Sequence, residues 1–127
     1  MDIEINEILS DMILEVMTPG VSRAAVKKAA SKLQTCGVEE NFELSDGYAA
    51  AKAALEVCGR VIAGTSEGSA GMVCGVIYSG FGNMNPCYII ISANNGQISV
   101  KAYAKEGLIR QHTAERALES FKKVLFN

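Results

Sequence analysis

The chain has no tryptophan and a single histidine, and its 127 residues include only two prolines. Four tyrosines and four phenylalanines are its only aromatics. That is too few for a platform on which single-stranded nucleic acid or sugars could stack. One histidine cannot complete a histidine-rich metal site. The four cysteines, Cys36, Cys58, Cys74 and Cys87, lie 22, 16 and 13 residues apart, without the close ligand pairs that zinc sites use. Cys74 and Cys87 fall in apolar stretches and read as small buried hydrophobes, as expected for reduced thiols. No metal and no cofactor is expected. The longest uncharged stretch, Gly68–Val100, is broken by glycine, serine, asparagine and proline, so no membrane-spanning helix is predicted. The acidic start, with Asp2 and Glu4, does not have the basic, then apolar, form of a secretion signal. A cytoplasmic protein is the expectation.

Apolar residues make up 49% of the chain and charged residues 20%, which is enough to build a core. The length suits one domain, taken as residues 1–127. Its net charge of −2 conceals strong segregation. Residues 1–18 hold five acids and no base, whereas residues 19–36 hold Arg23, Lys27, Lys28 and Lys32 and no acid. The 42 residues from Gly59 to Val100 carry only Arg60 and Glu67.

Ile5, Ile8, Leu9, Met12, Ile13 and Val16 recur at helical spacing opposite Glu4, Glu7, Asp11 and Glu15. Thr18-Pro19-Gly20 ends that helix, and Ser22 opens a second, which runs through Val26, Ala29, Ala30 and Leu33 to a stop near Gly37. Residues 1–36 thus read as a helical hairpin. Ser45 or Asp46 starts an alanine-rich third helix ending near Cys58. Arg60–Ala63 reads as a short strand and Gly64–Gly71 as a Gly/Ser-rich loop. Met72–Tyr78 and Cys87–Ala93 read as strands, with Asn95-Gly96 supplying the positive φ angles of a tight hairpin. The next strand alternates, with Ile98, Val100, Ala102 and Ala104 on one face and Ser99, Lys101 and Tyr103 on the other. Ala114, Ala117, Leu118, Phe121 and Leu125 mark a final helix. The predicted class is α+β: an antiparallel sheet of three or four strands packed by helices, in the order α-α-α-(β)-β-β-β-α. Residues 45–127 carry the third helix, the sheet and the last helix.

Two short stretches carry resemblances. Gly20, Val21 and Val26, within Gly20–Lys28, resemble the turn and second helix of helix-turn-helix DNA-binding units. That implies a basic recognition helix bearing Arg23, Lys27, Lys28 and Lys32. The order helix, three strands, helix, with Arg110 and Arg116 beside Leu108–Arg116, resembles double-stranded RNA-binding domains. It implies phosphate contact at the start of the last helix.

His112 and Glu115, at i and i+3, share a helix face, as acid–base partners or half a metal site would. Tyr103, on the polar side of its strand, is the aromatic placed to meet a partner. Tyr88–Ile91 is apolar on both faces, so something must cover both sides of the central sheet. The N-terminal helices and a second chain are the two options. The sequence therefore predicts a non-catalytic interaction or regulatory module, working as a homodimer or with another protein. Nucleic-acid binding through the two basic groups is one alternative. A small-ligand site or enzyme around His112 is another.

Overall fold

A computed structural model describes residues 5, 7–12, 33–67, 70–80, 82, 85–107 and 110–126. Residue 5 and residues 7–12 are helical and are denoted α1. The chain then forms β1 (Gln34–Glu43), α2 (Gly47–Cys58), β2 (Arg60–Glu67), β3 (Ala70–Ser79), β4 (Asn85–Asn94), β5 (Gln97–Glu106) and α3 (Thr113–Leu125). The result is an α+β fold around one antiparallel sheet of five strands, in the order β1-β5-β4-β3-β2. The expected helical hairpin of residues 1–36 is seen only in α1, because residues 13–32 lie outside the described residues.

Three differences from the sequence reading concern the sheet. Leu33 is a bend and a strand begins at Gln34, where the second helix was expected to continue to Gly37. The new strand β1 pairs along its whole length with β5. It alternates Val38, Glu40 and Phe42 with Glu39, Asn41 and Glu43, so glutamates on both faces blur its period. The supposed Gly64–Gly71 loop is instead largely paired strand, since β2 runs to Glu67 and β3 starts at Ala70. Five strands therefore replace the predicted three or four: the four between α2 and α3 include the short strand expected at Arg60–Ala63, and the additional one is β1.

The strand register sorts side chains into two faces with a period of two. The first face carries Val73, Ile77, Cys87, Ile89, Ile91, Ile98, Val100, Ala102 and Ala104, all 2% exposed or less. Both long helices pack there. Helix α2 links the two edge strands and buries Leu55 together with Gly47, Ala51 and Ala54, three small residues that allow close approach to the strands. Helix α3 buries Ala114, Ala117, Leu118 and Phe121 at i, i+3, i+4 and i+7. The β4–β5 hairpin turns at Asn95 (φ 51°) and Gly96 (φ 75°), as the Asn-Gly pair predicts.

Candidate functional site

The second face is the one that distinguishes this molecule. Pairing across all five strands gives three rows. The first runs Gly37–Tyr103–Tyr88–Val76–Arg60, the next Glu39–Lys101–Ile90–Cys74–Ala63, and the third Asn41–Ser99–Ser92–Met72–Thr65. Polarity rises along this face from an aromatic end to a hydroxyl-rich end.

Helix α1 covers the aromatic end. Ile5, Leu9 and Met12 are buried at i, i+4 and i+7 and join Val76 in a second core, with Ile8, Tyr78, Tyr88, Ile90 and Tyr103 packed around it. Of the two covers considered for the central strand, the described part of the N-terminal segment supplies one. Tyr103 is thus a half-buried support for α1.

The cover is partial. The hydroxyl-rich row stays open, with Met72 51% exposed and Ile62, on β2, 50% exposed. A cleft of about 440 Å³ lies between α1 and β2, lined by Ile8, Asp11, Met12, Arg60, Val61 and Ile62. A second of similar volume, about 440 Å³, lies over Thr65, Ser66, Gly71, Met72 and Ser92. Strand β2 is a sheet edge, and it is exposed from Ile62 through Ser66. Ile62 is an extra residue in its ladder, since Val61 pairs with Gly75 and Ala63 with Cys74. Tyr48 lies against this strand on the first face. A Cβ at Gly64 would come within 2.7 Å of its hydroxyl, and one at Gly71 within 2.8 Å of its ring.

The other predicted residues lie elsewhere. Arg110, His112 and Arg116 are exposed at the start of α3. Arg110 donates from Nη2 to Gln34 Oε1 at 3.3 Å and from Nη1 to Cys36 Sγ at 3.4 Å, both on β1. His112 Nδ1 lies 2.8 Å from Glu115 Oε2, and this bond holds the Glu115 carboxyl below its ordinary pKa. The helix start itself is occupied by a buried carboxylate from β5: Glu106 accepts from Thr113 N–H at 3.0 Å and from Gln111 N–H at 3.4 Å. Glu106 therefore takes the position an anionic ligand would favour at a helix N-terminus. Sequence reading missed this cap because the carboxylate comes from seven residues before the helix, across a loop. Asn85 completes the corner, donating to the Lys105 carbonyl at 2.9 Å and to Thr113 Oγ1 at 2.8 Å. Lys105 is buried and donates to the Leu33 carbonyl at 3.0 Å, and burial lowers its pKa. Arg23, Lys27, Lys28 and Lys32, with the helix-turn-helix resemblance they carry, lie outside the described residues.

All four cysteines are free thiols. Cys87 is fully buried in the first face, and desolvation pushes its pKa up to about 12, leaving it inert as a nucleophile at neutral pH. Burial also raises the Cys58 thiol. No group of three or more metal-ligating side chains occurs among the described residues. No helix among them is long and apolar enough to cross a membrane. No protein-family model matches the chain, and no curated protein or solved structure is significantly similar to it.

Proposed function

We propose that this protein is a non-catalytic interaction module of a reducing, cytoplasmic setting that works as a homodimer, joined through the exposed β2 side of the sheet. One observation carries the reading: among the described residues α1 covers the aromatic end of the second face, while the β2 side keeps Ile62 and Met72 half exposed beside an edge strand. Exposed apolar side chains next to unpaired backbone favour association. Two-fold pairing is the commonest way for a chain to satisfy such a surface with a copy of itself. Sedimentation equilibrium at micromolar concentration tests the reading. The expected result is a mass twice the 13.5 kDa of the chain. A monomer that persists on concentration refutes it.

A further inference from the structure

Asparagine carries its own route to covalent change, which makes it a thermolabile residue. The backbone nitrogen of the next residue attacks the side-chain amide carbon. A C–N bond closes a five-membered imide ring, and the amide nitrogen leaves as ammonia. Water then opens the ring at one of its two carbonyls. One product is aspartate. The other is isoaspartate, in which the main chain runs through Cβ. In sum, an amide and water become a carboxylate and ammonium, with no oxidant. The reaction needs an N–H on the next residue, little bulk there, and a segment that can swing.

Four asparagines fall among the described residues, and three are restrained. Asn85 donates to the Lys105 carbonyl at 2.9 Å and to Thr113 Oγ1 at 2.8 Å, and Pro86 after it has no N–H. Asn41 lies within β1 opposite Ser99, with the bulky Phe42 next. Asn94 closes β4, held opposite Gln97, and another side chain, that of Asn95, follows it. Asn95 differs on each count. It lies in the two-residue turn beyond the ladder, it is exposed, and glycine follows it. The space around Gly96 is empty, since a Cβ there would meet nothing within 4 Å.

We propose that Asn95 is a site of spontaneous deamidation and isomerisation, paced by opening of the β4–β5 turn. Asn95 sits in the left-handed region at φ 51°. A left-handed turn residue sets its Cβ anti to the following nitrogen, whereas ring closure needs the two on the same side of the Cα–C bond. The turn must therefore open first, and a hairpin tip is where local opening costs least. The two products then part ways. Aspartate suits the same left-handed turn, so it keeps the hairpin and adds a charge. Isoaspartate lengthens the main chain of a two-residue turn whose length sets the register of β4 on β5. The Gly96 carbonyl moves with it. That carbonyl accepts from Leu44 N–H at 2.8 Å and ties the turn to the link between β1 and α2. Asn95 also lines a cleft of about 420 Å³ with Asn41, Ser92 and Ser99, so either product brings a carboxylate to a cleft with no charged side chain in its lining.

Ageing the whole chain at neutral pH and body temperature tests this, with samples taken over weeks for peptide mapping and fragment mass spectra. The expected result is a gain of about 1 Da placed on Asn95, split between aspartate and isoaspartate forms that separate on chromatography. Asn41, Asn85 and Asn94 should remain amides over the same period. Unfolding the chain in concentrated urea should speed the Asn95 reaction by about tenfold or more, because the turn no longer has to open. Hydrogen exchange of Leu44 N–H should be unchanged in Asn95→Asp and faster in the isoaspartyl fraction of the aged chain. An Asn95 that reacts no faster than Asn41 or Asn94 overturns the site. Equal rates in folded and unfolded chains overturn the pacing by the turn. Unaltered Leu44 exchange in the isoaspartyl fraction overturns the coupling to the β1–α2 link.

Discussion

Replacing Leu9 by alanine asks whether α1 truly belongs to the fold. Leu9 is wholly buried between the helix and the second face, in the cluster with Val76 and flanked by Tyr78, Tyr88 and Tyr103. Leu→Ala at such a site loses the transfer energy of the removed carbons and leaves a cavity, together about 3–5 kcal/mol. A helix at one edge of the structure can settle partly into the gap, so about 2–3 kcal/mol is expected. For a chain of this length that lowers the thermal midpoint by about 6–12 °C. Leu55→Ala, equally buried where α2 packs on the first face, serves as the reference and should cost at least as much. Urea unfolding followed by circular dichroism, at one fixed protein concentration, measures both. Adding Val76→Ala to Leu9→Ala should reveal a coupling of about 0.5 kcal/mol or more, since contacting residues are not additive. A Leu9→Ala cost within about 0.5 kcal/mol, beside a full loss for Leu55→Ala, would show that α1 does not hold the second face.

Three further outcomes are expected. Glu106→Gln removes the charge that meets Thr113 and Gln111 N–H at the start of α3. It should cost about 1.5–3 kcal/mol in chemical unfolding, and a change under about 0.5 would refute the cap. Gly75→Ala should destabilise the fold more than Gly96→Ala. A Cβ at Gly75 meets the Arg60 carbonyl and Leu55, whereas at Gly96 it meets nothing and pays only for its φ of 75°. About 1–2 kcal/mol is expected at Gly96, and an equal or smaller loss at Gly75 would contradict the β2–β3 packing. The Glu115 carboxyl, depressed by His112, stabilises the fold above the ordinary carboxylate pKa and loses that contribution as pH falls through its own lower value. Both side chains are at least half exposed, so the contribution is small. In His112→Ala, an NMR titration of Glu115 should move back up toward the ordinary value, and an unmoved curve would refute the pairing.

The elements that read clearly from sequence are those whose signal is local. The Asn95-Gly96 turn forms because asparagine and glycine tolerate positive φ. The apolar period of α3 states which helix face is buried, and the two-sided apolar run Tyr88–Ile91 requires the cover that the two faces of β4 receive. Strand β1 escaped because an edge strand needs little apolar patterning, and its acids fall on both faces. The glycines of β2 and β3 looked like loop residues. Gly64 and Gly71 are instead places where the Tyr48 ring lies against the strands, a reason visible only once α2 is in position.

The sequence by itself determined the class of the fold, the first face of the sheet and the need to cover the second, since burial of apolar surface follows from composition and period. Tertiary structure decided what does the covering. Among the described residues, helix α1 covers the aromatic end of the second face, and Ile62–Ser66 on the β2 edge stay exposed beside it. It also decided the phase of β2. One inserted residue, Ile62, defined only by the partner strand it fails to match, sets on which face every residue before it lies. A strand's own sequence cannot announce a bulge, because a bulge is a relation between two strands.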